Sequence, residues 1–126
     1  MSGRFAVCLG CIDGRIQLPL IDWIKGNYRV DFVDLITEPG MDGLLADQDS
    51  EMASVLRKLD ISFAKHDSDP VFIAGHYDCA ANPVDEATHR SQVTAAVEKI
   101  GELFPRRTVV GLWVSSAWDV ERTAHP

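Results

Sequence analysis

Apolar positions fall in short blocks along the chain, and the blocks alternate between two periods. Phe5-Ala-Val-Cys-Leu-Gly10 is an unbroken apolar run closed by glycine, which predicts a strand covered on both faces. Leu18 to Tyr28 carries Leu18, Ile21, Trp23 and Ile24 at helical spacing, and Gly26-Asn27 supplies a stop. Val30 to Thr37 alternates in part and reads as a second strand, broken by Glu38-Pro-Gly40. Asp42 to His66 spaces Leu45, Met52, Val55, Leu56 and Leu59 as one long or broken helix. Pro70 to Gly75 predicts a third strand, with proline at its first position, where a missing N–H does least harm. Asn82-Pro83 predicts a helix cap and first residue, with Asp85 and Glu86 in the first turn and Pro105 as the stop after Phe104. Thr108 to Val114 is a fourth strand, and the tail after Ser115 is ambiguous.

Strands and helices in strict alternation imply a three-layer αβα fold with a mainly parallel four-stranded sheet, in the order 2-1-3-4. In such sheets ligands bind beyond the carboxyl ends of the strands, where the strand order reverses. Chemistry is therefore expected just after Gly10 and just after Gly75. With 126 residues, the chain is expected to form one domain over residues 1–126.

Charge narrows the partners. Twelve Lys and Arg against nineteen Asp and Glu give a formal net charge of −7. That balance argues against nucleic acid or an anionic membrane surface, both of which need clustered cations. Every apolar block is too short to span a bilayer. Met1-Ser-Gly-Arg4 leads straight into a strand without a cleavage site, so no signal peptide is expected and the location is expected to be cytoplasmic. Three cysteines in such a chain point to metal binding or reactive thiols rather than to disulfides.

The residues at the two predicted points fit the first of these. Cys11-Ile-Asp13-Gly-Arg15 follows the first strand and His76-Tyr-Asp-Cys79 follows the third. Cysteine and histidine are the side chains zinc prefers. His76 and Cys79, three apart on a tight turn, could reach one ion, with Cys11 arriving from the neighbouring strand end. Three protein ligands leave a fourth position open, as at catalytic sites. Asp13 and Arg15, if extended, point the same way and could pair. Asp13 would then orient water on the metal, or take the fourth position itself if Arg15 released it. The bland readings are a packed Cys11, a turn Asp13 and a surface Arg15.

Other readings of these residues compete. Cys8-Leu-Gly-Cys11 has the spacing of a redox pair. Within an extended strand, however, its two Cα atoms stand about 10 Å apart, beyond disulfide reach. Cys8 is therefore assigned to packing, and a closed site of three cysteines and a histidine is excluded on the same ground. A phosphatase-type Cys-x5-Arg loop fails because Arg15 is too far along the chain from Cys8 and too near Cys11. His66 and His89 are expected to be solvated, with proton relay as a minor reading, and His125 in the tail carries no assignment. Trp23, Phe32, Trp113 and Trp118 are expected in the core or at an interface. A small sheet leaves an edge and a face open, so a homodimer is expected.

Cys-x-Asp-x-Arg followed by Gly-His-x-Asp-Cys resembles the signature of the β-class carbonic anhydrases, read here as Cys11, Asp13 and Arg15 with Gly75, His76, Asp78 and Cys79. The resemblance implies Zn2+ on Cys11, His76 and Cys79, an Asp13–Arg15 dyad beside it, and reversible hydration of CO2 to bicarbonate. Zinc lowers the pKa of its water to about 7, making hydroxide available near neutrality. The chain departs from the family pattern in entering its first strand at about Arg4 and in carrying Ile36-Thr-Glu-Pro-Gly40-Met-Asp after the second strand. It also has little sequence beyond the fourth strand. These departures motivate a second expectation, a non-catalytic zinc-binding module acting as a sensor or in assembly.

Overall fold

A computed structural model describes residues 3–48 and 50–123; His125 lies outside them. The elements are β1 (Phe5–Gly10), α1 (Gly14–Asn27), β2 (Phe32–Thr37), α2 (Met41–Ala46), α3 (Ala53–His66), β3 (Val71–His76), α4 (Glu86–Leu103), β4 (Val109–Val114) and β5 (Val120–Arg122). The sheet order is β2-β1-β3-β4-β5. The four expected strands are parallel in the expected order. A short fifth strand, antiparallel to β4, forms in the stretch whose sequence was ambiguous.

Side chains of each central strand alternate between two apolar layers. Ala6, Cys8, Phe72, Ala74, Leu112 and Val114 face α1, packing on its stripe of Ile16, Leu20 and Ile24. Val7, Leu9, Val71 and Ile73 face α2, α3 and α4 through Met41, Leu45, Val55, Leu59, Ala96 and Ile100. Right-handed crossovers place helices on opposite faces when the chain first moves one way along the sheet and then the other. β1 to β2 runs outward; β3 and β4 then add on the far side of β1. The reversal leaves the carboxyl ends of β1 and β3 side by side, with Val7 opposite Val71 and Leu9 opposite Ile73.

Two boundaries differ from the sequence expectation, and a third feature takes one of its two expected forms. α1 begins at Gly14, before the expected Leu18, and carries Pro19 inside it; Asp13 caps the helix by accepting from the Arg15 amide at 2.9 Å. The 42–66 stretch, expected as one long or broken helix, is the broken form, α2 ending at Ala46 and α3 starting at Ala53. The cap of α4 is Asp85, whose carboxylate accepts from the Thr88 amide at 2.8 Å. Asn82 instead turns its amide toward Asp42 and Gln92.

Candidate metal centre

Cys11 follows β1 directly, His76 ends β3, and Cys79 sits in the turn beyond it. All three are buried, and their Cys Sγ and His nitrogen donors lie within 4.8 Å of one another. The two Sγ atoms are 4.0 Å apart, and neither cysteine is in a disulfide. Thiolates at about 2.3 Å from a tetrahedral zinc stand about 3.8 Å from each other, so the observed spacing fits. The turn that carries Cys79 is shaped by Asp78, which takes a left-handed φ of 59°, and by the Tyr77 amide bonded to the Val114 carbonyl at 2.9 Å.

The histidine supplies the sharper test. His76 Nδ1 lies 2.7 Å from the Tyr77 carbonyl oxygen. A carbonyl only accepts, so Nδ1 bears the proton and the lone pair is on Nε2. Nε2 is buried and has no hydrogen-bond partner. A buried acceptor without a partner is rare in native proteins and calls for an explanation; a metal ion supplies one. Burial, and then the neighbouring Cys11 thiol, push the Cys79 thiol up to about 11. Without metal this thiol stays protonated near neutrality, and metal binding must displace its proton.

Asp13 and Arg15 do pair beside this group, but not as an extended dipeptide. The capping turn folds them together, bringing Arg15 Nη2 to 2.7 Å from Asp13 Oδ2 and Nε to 3.1 Å from Oδ1. These bonds hold the Asp13 carboxyl down at about 2. The guanidinium also donates to the Asp78 carbonyl at 3.1 Å, lies 3.3 Å from Asp78 Oδ2, and rests 4.7 Å from the Trp118 ring centre. Nothing in the local sequence links Asp78 or Trp118 to Arg15. Cys8 is buried within β1, where burial pushes its thiol up to about 12; its assignment to packing agrees with this position.

Of the two histidines expected to be solvated, His89 is buried and His66 is only partly exposed. His66 closes α3 with Nδ1 2.7 Å from Asp34 Oδ2 and stacks on Phe5 at 3.9 Å. His89 is 2% exposed, with Nδ1 2.6 Å from Oδ2 of the equally buried Asp42. In each case a carboxylate from a distant element bonds the ring. His89, Cys79, Tyr77, Val84 and Trp113 line a cavity of about 460 Å3. Of the four expected packing aromatics, Trp113 is buried, Trp23 and Trp118 are partly buried against the α1-side core, and Phe32 is half exposed on the edge strand β2.

A Cys2His donor group at the switch point of this α/β sheet defines a carbonic-anhydrase-like fold with a candidate metal site. The model of a family described as "Putative carbonic anhydrase" matches residues 1–124, and the chain belongs to that family. Among solved structures, the β-carbonic anhydrase CafA of Aspergillus fumigatus aligns with TM-score 0.67 at 13% identity, over 99% of this chain and 79% of that one. The carbonic anhydrase of Streptococcus mutans aligns with TM-score 0.67 at 15% identity, over 94% of this chain and 81% of that one. A tetrameric β-carbonic anhydrase of Sordaria macrospora aligns with TM-score 0.61 at 11% identity, over 98% and 83% of the two chains. At these identities the likeness is one of fold. A search of curated proteins gave no significant match. Among the described residues, no helix is long and apolar enough to cross a membrane.

Proposed function

We propose that this chain catalyses the zinc-dependent, reversible hydration of CO2 to bicarbonate, with Zn2+ held by Cys11, His76 and Cys79. The observation that carries the reading is the unpartnered, buried Nε2 of His76 facing a chemistry it shares with two cysteines. Bound there, zinc would act as a Lewis acid and lower the pKa of water to about 7.

The chain's own residues do the rest. The Tyr77 carbonyl fixes the His76 tautomer, so that the ring is always presented by its Nε2 face. Arg15 keeps Asp13 ionised and, with the capping turn, fixes its orientation. Asp13 is thereby an oriented hydrogen-bond acceptor that can select the geometry of a hydroxyl beside the donor group. Trp118 and Asp78 in turn hold Arg15 in place. The reading takes residues 1–126 as one domain. It includes a homodimer, supported by the sheet face that α1 alone covers, where Trp23, Tyr28 and Trp118 are only partly buried.

Metal analysis of the purified protein, followed by stopped-flow CO2 hydration of the zinc-loaded chain across roughly pH 6–9, tests the reading. Zinc in stoichiometric amount and a rate well above buffer are expected. Zinc bound with no rate above buffer would overturn the anhydrase assignment and leave a non-catalytic zinc module on the same fold.

A further inference from the structure

Two histidines among the described residues are buried, His76 and His89, and the metal reading uses only the first. We infer that Asp42 and His89 form a proton relay: His89 Nε2 takes up the proton released as CO2 and water become bicarbonate, and hands it to a buffer base through the cavity beside Cys79. The inference rests on the hydration activity proposed above.

The pair is built to hold one arrangement. Asp42 Oδ2 lies 2.6 Å from His89 Nδ1. Oδ1 of the same carboxylate accepts from the Gly43 amide at 2.9 Å and from Asn82 Nδ2 at 3.0 Å. Asn82 is itself oriented by Gln92 Oε1 at 2.7 Å. With its other acceptor sites engaged, Asp42 is anchored toward Nδ1, which places the Nδ1 proton between the two side chains and a lone pair on Nε2. A structural histidine would spend that lone pair on a donor. Here Nε2 is buried and unpartnered, as Nε2 of His76 is.

The surroundings suit a proton rather than an anion. His89 and Cys79 line one cavity, and Trp113 packs on the imidazole at 5.5 Å between ring centres. The charged groups facing the cavity are Asp78 from the turn after β3 and Asp85 and Glu86 at the start of α4. Beyond the ring, Arg90 is paired with Glu86 and with Glu121 of β5. The mouth is thus acidic, which disfavours bicarbonate and favours the protonated form of a small carrier. The step balances: CO2 and water give bicarbonate and a proton, the proton adds to Nε2, and the resulting imidazolium returns it to the buffer.

Proton export follows bicarbonate formation, so it enters kcat and not kcat/KM. In low buffer, zinc-loaded His89→Gln is expected to lose roughly tenfold or more in kcat, with kcat/KM held within about twofold. Added imidazole is expected to restore the rate. Nitrogen-15 spectra of the metal-free wild type give a readout apart from activity. They should show the Nδ1–H tautomer of His89, with Nε2 unprotonated and free to accept. An unchanged kcat in His89→Gln, an equal fall in kcat and kcat/KM without imidazole rescue, or an Nε2–H tautomer in the wild type would overturn the relay. Should His89→Gln not fold, the wild-type spectra and the isosteric Asp42→Asn decide by the same criteria. A zinc-loaded wild type without hydration activity marks instead the failure of the hydration reading, on which the relay depends.

Discussion

A β-carbon on Gly75 would stand 2.7 Å from Oδ2 of Asp42. The strand residue next to His76 and a carboxylate from α2 therefore share a contact that only glycine permits. Gly75→Ala must displace Asp42 or the strand end, with Val93 blocking another direction at 3.2 Å. The expected cost is about 1–3 kcal/mol, as for other overpacked cores. Urea unfolding of the metal-free protein reads the cost, and a competitive zinc titration should show weaker binding. Wild-type values in both would mean that Asp42 moves aside freely.

Metal content separates the three cysteines. Cys11→Ser, His76→Ala and Cys79→Ser are each expected to lose most of the zinc. Cys8→Ala should keep it, because Cys8 packs in the apolar layer that faces α1 and its thiol, pushed up to about 12 by burial, stays protonated. Elemental analysis after dialysis distinguishes them. Stoichiometric zinc in Cys79→Ser would remove that residue from the ligand set.

The Asp13–Arg15 pair should show in acid. Asp13 is depressed from 3.8 to about 2 in the folded chain, chiefly by the side-chain bond from Arg15. A depressed carboxyl contributes stability above its unfolded pKa, and that contribution is lost as pH falls from about 4 towards 2. Arg15→Ala should raise the Asp13 midpoint and flatten this part of the pH–stability curve. Arg15 is half-exposed and its charge is screened by solvent, so the loss at neutral pH is expected to be small. Carboxyl carbon NMR and pH-dependent melting measure both effects.

What the sequence reveals depends on how far apart the interacting residues lie. Gly10 before Cys11 and Gly75 before His76 mark the ends of apolar runs, and those local signals locate the three donors. Asp13 and Arg15 are also local, though their pairing comes from a helix cap and not from an extended strand. Asp42 and His89 are 47 residues apart, on different helices. Each reads as a polar residue on a helix, and neither helical period nor spacing shows that they meet. The same holds for His66 with Asp34, 32 residues away. β5 escaped notice because three residues with Glu121 and Arg122 carry no strand-like apolar pattern, and only pairing with β4 makes them one.

Leu20 tests the layer that α1 forms. Its side chain is fully buried on the stripe between Ile16 and Ile24. Leu20→Ala is expected to cost about 2–5 kcal/mol through lost burial and an unfilled cavity. Chemical denaturation measures it; a cost well below this range would mean that α1 shifts to close the gap.

The half-covered sheet face beside α1 predicts self-association. Light scattering at micromolar concentration should return the mass of two chains, and the mass of one chain would count against the homodimer.

The acceptor that orients His76 is the backbone carbonyl of the next residue, not a side chain. Position 77 therefore has two separable roles. Its main chain sets the ring of a candidate ligand, while its half-exposed phenol lines the neighbouring cavity. Any residue that keeps the local backbone can serve the first role, which leaves the second free to vary. The wall of the cavity can thus be redrawn at position 77, by natural drift or by design, without rewriting the donor set beside it.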